Sequence, residues 1–263
     1  MTIITFNMTT ISNAILIPVK RPAAQIRLLV LHHACGSASA YFRWASAFPE
    51  DIEVWLIDLP GRGRSAGAPA LQTLNAVRSY LVQLQALLPG RYAVFGHSMG
   101  ALLAYCFALD MAQRGQPPAW LGVSGTDAPC CPRPAVSQPI YKQGREPILG
   151  YLKTLGGTPD EIFRHRELSD MLVRMAQADF RLVEEYFPLE PSGQLGVPVS
   201  VFAGRQDNLL SAGGQQAWSR LTRAETGFRS FEGGHFYLFD EANQVQRSIA
   251  DALRVAVGDG VAG

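Results

Sequence analysis

The sequence is sparing in several features that would assign it to other classes. Its longest early apolar stretch, AILIPV, is too short for a membrane span or a signal-peptide core, and no basic segment precedes it. It has four cysteines, Cys35, Cys106, Cys130 and Cys131, without metal-ligand spacing. Cys130 and Cys131 are neighbours and suit no ordinary structural disulfide, so reduced thiols and a cytoplasmic location are expected. Charge is almost balanced at +1, which excludes a strong polyanion-binding role. Internal repeats are absent. The Gly-x-Gly at Gly61 and Gly63 completes no dinucleotide fingerprint, and Pro60, Arg62 and Arg64 surround it.

What is present is a large apolar fraction, 48% of 263 residues, enough for one α/β domain with a full core over residues 1–263. Continuous apolar runs at IRLLVL (26–31) and IEVWLID (52–58) suit strands buried on both faces of a parallel sheet. Leu71, Leu74, Val77, Leu81, Leu84 and Leu88 recur at three- and four-residue spacing, the pattern of an amphipathic helix over 71–88. Further strands are expected at 92–96, 119–124, 197–203 and 228–231. Helices are expected at 212–221 and from about Asp240.

The chain is organised around YAVFGHSMG (92–100). A buried strand runs into Gly96-His97-Ser98-Met99-Gly100, and an alanine-rich apolar helix pattern follows at once. Strand, tight turn and helix are the context in which G-x-S-x-G marks a nucleophilic serine. A serine needs a base and an orienting acid. Of the five histidines only His235, in EGGHFYLFD, lies near the C-terminus, and Asp207 sits in the loop after the strand VPVSVFA. The order Ser98, Asp207, His235 is that of the α/β hydrolases. Asp127, after the preceding strand, is the rival acid. The small-residue loop after 26–31 is the place for an oxyanion donor from the Ala34 N–H, with the Met99 N–H as the second.

Between about 128 and 196 the strand alternation stops. Helical patterns at EPILGYLKTL, PDEIFRH and ELSDMLVRMAQADFRLVEEYF read as a lid over the strand ends. Its eight Lys/Arg and nine Asp/Glu mark no docking face by charge. Some of Ile148, Leu152, Leu155, Ile162, Phe163, Met171, Leu172 and Met175 are expected to line an acyl channel.

With these stretches in place, the chain resembles the type II thioesterases, stand-alone editing hydrolases of polyketide and nonribosomal peptide synthesis. HHACGSASAYFRWA, IDLPGRGRS, GHSMGALLAY, LGGTPDEIF, QADFRLVEEY, AGRQDN and FEGGHFYL carry the resemblance between about Leu28 and Leu253. It implies an α/β-hydrolase fold, a mostly parallel sheet flanked by helices with a helical lid. It also implies hydrolysis of acyl thioesters from the phosphopantetheine arm of an acyl or peptidyl carrier protein, without a cofactor, metal, nucleic-acid or membrane partner. A carboxylesterase or acyltransferase with the same triad is the alternative; an inactive hydrolase-fold scaffold would usually have lost a triad member. Three stretches depart from the family pattern. His32-His33 replace a proline and an aromatic residue, Cys35 replaces a glycine, and Met175-Ala176-Gln177 replace a Leu-Arg run.

Overall fold

A computed structural model describes residues 4–132, 138–189 and 193–258. Residues 133–137 and 190–192 of the expected lid, and the last part of the Gly/Ala/Val tail, lie outside these. The apolar runs form the strands β2 (Ile26–Leu31), β3 (Ile52–Ile57), β4 (Tyr92–His97), β5 (Leu121–Ser124) and β6 (Val199–Gly204), and the more polar TGFRSF forms the edge strand β7 (Thr226–Phe231). A two-residue strand β1 (Ile15–Leu16) precedes them. The sheet order is β1-β3-β2-β4-β5-β6-β7. Among the described residues only the β1–β3 pair is antiparallel.

Side chains alternate across this sheet, as period-2 strand geometry requires. Leu29, Leu31 and Val94 join one core with the helices α3 (Leu74–Leu84) and α4 (Met99–Gln113). Leu28, Val30, Ala93 and Phe95 join a second core with α2 (Phe42–Ser46) and α9 (Ala242–Gly258). α4 is buried on nearly all sides because the sheet lies beneath it and other helices flank it. Thr73 caps α3 by accepting from the Ala76 N–H at 3.2 Å.

Between β5 and β6 lie α5 (Arg145–Leu155), α6 (Asp160–Arg164) and α7 (Arg166–Tyr186), and no strand among the described residues. Gly156 ends α5 at φ +79. A four-residue helix α8 (Tyr237–Asp240) precedes α9, and a short helix α1 (Met8–Asn13) precedes β1. Two expectations change. The 212–221 helix is reduced to a 3₁₀ segment at Gln216–Leu221, because Gly213 (φ +82) and Gly214 precede it. α1 and β1 were not anticipated.

The chain moves from β2 to β3 on one side, then returns across β2 to β4. Strand order therefore reverses between β2 and β4, and a crevice opens at their carboxyl ends. The register aligns Leu31 with Gly96 and His97 with Ser124, so the loops after β2, β4 and β5 emerge along one edge.

Candidate active site

Ser98 occupies the turn between β4 and α4 at φ +55, ψ −120, a conformation that L-residues resist. Its N–H donates to the Ser124 carbonyl at 2.7 Å, holding the turn to β5. The glycines on either side are needed for space. A Cβ on Gly96 would lie 2.1 Å from the Gly100 carbonyl oxygen, and one on Gly100 would lie 2.2 Å from that of Leu31. Met99 is the first residue of α4, so its N–H has no acceptor within the helix.

Asp207 and His235 come from the loops after β6 and β7. Gly204 permits their meeting: a Cβ there would lie 2.3 Å from the Gly234 carbonyl oxygen. The Gln206 N–H donates to Gly233 at 3.0 Å and locks the two loops together. His235 Nδ1 lies 2.8 Å from Asp207 Oδ2, with both side chains almost wholly buried. A carboxylate only accepts, so Nδ1 carries the proton and Nε2 is left as the basic nitrogen. Asp207 Oδ1 accepts from the Leu209 N–H at 3.0 Å. Asp127 is differently employed. Its carboxylate accepts from the Ser211 N–H at 3.0 Å and from Gln215, and makes no hydrogen bond to His235.

Ser98, His235, Ala34 and Met99 line one cavity of about 360 Å³. That size is within the range of small-molecule sites. Tyr151 and Leu155 of α5 and Phe180 and Val183 of α7 supply its apolar wall, with Leu102 from α4. This corrects the expected set. Of the eight apolar residues named from the sequence, only Leu155 reaches the cavity. Ile148, Leu152 and Leu172 are buried in the core, and Met171 is 55% exposed. Among the described residues no group of three or more His, Cys, Asp or Glu side chains is placed to hold a metal ion.

Three further histidines surround the site. His97 packs with its ring 4.8 Å from that of His235, and its Nδ1 lies 2.9 Å from Ser124 Oγ. Ser124 Oγ in turn lies 2.6 Å from Tyr237 Oη. His33 lines the cavity, with Nδ1 2.8 Å from Tyr41 Oη and its ring edge-on to Phe236. His32 lies behind the loop and is held by the His33 carbonyl at 2.8 Å. Burial, aided by the Arg62 charge, lowers the His32 pKa to about 3. Burial, aided by His32 and His235, lowers that of His33 to about 3. Burial followed by His235 and His33 depresses His97 well below the ordinary value.

All three are therefore neutral in the folded chain at pH 7. Unfolding frees them to bind protons near their ordinary pKa of 6.5. Their contribution to stability is complete above pH 6.5 and is lost progressively as the pH falls below it. Well below pH 6.5 the slope approaches about 1.4 kcal/mol per pH unit for each, on the order of 4 kcal/mol per unit for the three; averaged between pH 7 and 5 it is about two thirds of this. Urea midpoints measured between pH 7 and 5 check this. His33→Phe should remove about a third of the slope; a midpoint independent of pH over this interval contradicts the reading.

Residues 26–253 match the thioesterase domain family, and the chain belongs to it. Two relatives are similar over most of their length. Gramicidin S biosynthesis protein GrsT of Aneurinibacillus migulanus is 30% identical, over 89% of this chain and 91% of that protein. Thioesterase PikA5 of Streptomyces venezuelae is 31% identical, over 90% of this chain and 84% of that protein. The solved structure of the type II thioesterase BorB from the borrelidin biosynthetic cluster superposes with a TM-score of 0.83. It is 30% identical and covers 92% of this chain and 98% of that one. The fold is that of the α/β-hydrolase thioesterases, and the chain is a thioesterase. No described helix is long and apolar enough to cross a membrane.

Proposed function

We propose that this thioesterase hydrolyses acyl groups from the phosphopantetheine arm of acyl or peptidyl carrier proteins in polyketide or nonribosomal peptide biosynthesis. The observation that carries the reading is His235, held by Asp207, opening onto the same cavity as the strained Ser98. The relatives' names, which refer to gramicidin S and borrelidin biosynthesis, support the pathway class.

In this mechanism the acyl carbonyl enters beside Ser98. His235 Nε2 takes the hydroxyl proton as Ser98 Oγ bonds to the carbonyl carbon. Asp207 keeps the imidazole in the Nδ1–H tautomer and stabilises its charged form. The backbone N–H groups of Ala34 and Met99 receive the oxyanion; one such donor is typically worth ~3 kcal/mol. The tetrahedral intermediate collapses, the carbon–sulfur bond breaks, and the pantetheine sulfur takes the proton from His235. Water then attacks the acyl-Ser98 ester with His235 again as base. Protonation of Ser98 Oγ releases the acid and restores the enzyme. Every step uses the chain's own groups and water. Helices α5 to α7 act as the lid, their apolar wall receiving the acyl chain, in a single cytoplasmic hydrolase domain.

Rates on one acyl group presented as a carrier-protein thioester and as a simple oxoester test the reading. The carrier thioester should have the higher kcat/KM by at least tenfold. A preference for the oxoester, or transfer to an added alcohol in place of hydrolysis, would assign the site to the carboxylesterases or acyltransferases.

A further inference from the structure

Asp179 stands in α7, remote in sequence from the loop that carries Ala34, yet its carboxylate is in contact with that loop. Oδ2 accepts from the Cys35 N–H at 2.7 Å and from Arg62 Nη1 at 2.6 Å, and Oδ1 accepts from Arg62 Nη2 at 2.6 Å. Arg62 Nη1 also reaches the Gly36 carbonyl at 3.4 Å. The Asp179 side chain is fully buried and that of Arg62 nearly so. Burial works against the Arg62 charge, but Asp179 outweighs it and raises the Arg62 pKa. A bidentate, charge-assisted fork of this kind fixes geometry in two directions.

The Cys35 N–H belongs to the peptide group that follows Ala34. Cys35 itself is held at φ +64, a backbone conformation disfavoured for any residue with a Cβ. A peptide strained at this point needs an external restraint, and the Asp179 carboxylate supplies one. Removing either charge would leave the other buried without a partner, so α7 cannot lift away at Asp179 without a large penalty.

From this geometry we infer that Asp179 is a positioning residue for catalysis: it holds the Ala34–Cys35 peptide so that the Ala34 N–H faces the reacting carbonyl oxygen. Arg62 neutralises the carboxylate and links it to the loop after β3. Alignment of the oxyanion donor then depends on α7 being seated. Lid movement that admits substrate is left to α5, α6 and the first turns of α7, where Leu168 and Met171 are exposed. This inference rests on the roles proposed above for Ser98 and Ala34.

The full chain carries the test. Asp179→Asn keeps the shape and loses the charge. The double variant Arg62→Met with Asp179→Leu removes both charges and leaves no buried ion. Kinetics on an acyl-carrier thioester, the affinity of an alkyl boronic acid that adds to Ser98 as a tetrahedral mimic, and hydrogen exchange over 33–37 are measured together. For the double variant kcat should fall on the order of 10²-fold, with KM within threefold of the parent. Boronate affinity should fall in parallel, and exchange over 33–37 should quicken. Asp179→Asn should lose about tenfold in kcat. Arg254→Met, which cuts the surface pair between α9 and Asp51 away from the lid, controls for general loosening and should keep the parent kcat. Parental kcat and boronate affinity in a folded Asp179 variant would overturn the inference, as would an equal loss in Arg254→Met. A parent chain inactive on thioesters would instead overturn the proposed function; unchanged exchange over 33–37 in the variants would still overturn the restraint.

Discussion

Replacing Ser98 with alanine is expected to lower thioester turnover by about six orders of magnitude, the scale found when a serine hydrolase loses its nucleophile. The expectation follows from local geometry. The serine is the only residue of GHSMG placed with φ +55 between a strand end and a helix start, and its side chain opens onto the cavity. Alanine fits the same space, so folding should be little changed and the loss should be chemical. A fluorophosphonate probe should label the parent chain and fail to label Ser98→Ala. Persistent labelling, or turnover within tenfold of the parent, would remove Ser98 from the role of nucleophile.

The second large effect concerns the acid. Asp207→Asn should lower kcat on the order of 10⁴-fold, since an amide can hold His235 Nδ1 as an acceptor or donor and so no longer imposes the Nδ1–H tautomer. Asp127→Asn should stay within a few-fold, because Asp127 braces the loop at Ser211 and touches no ring nitrogen of His235. Each variant exchanges one carboxylate oxygen for an isosteric amide nitrogen, and only the Asp207 carboxylate bonds to His235, so the ranking identifies the acid. A larger loss in Asp127→Asn would move the acid to the end of β5.

How far these features could be read in advance depends on how local their causes are. Continuous apolar runs such as Ile26–Leu31 became strands, since a strand covered on both faces has no polar face to interrupt the run. The elbow was legible because five adjacent residues and their flanks specify it. The ends of the long α7 were legible within a residue or two from its periodicity. Which apolar residues of α7 face the core and which face the cavity was not legible. Periodicity gives an apolar stripe, but Leu172 and Phe180 share that stripe and only Phe180 reaches the cavity. The restraint of Cys35 by Asp179 was also invisible, because 144 residues separate donor and acceptor and no local pattern pairs them. α1 and β1 were too short to show a period. His97 appeared in the sequence only as a variable position of G-x-S-x-G, whereas in the fold its ring packs against that of His235.

The central claim is that Ser98 carries the acyl group between the carrier thiol and water. The most direct measurement is the intact mass of the chain during turnover of an excess of acyl-carrier thioester, quenched in acid within the first turnovers, followed by peptide mapping. The account predicts an adduct of one acyl group less one hydrogen, located on the peptide containing Ser98 and absent in Ser98→Ala. Steady hydrolysis with the adduct on another residue, or with the acyl group still adding to Ser98→Ala, would contradict it.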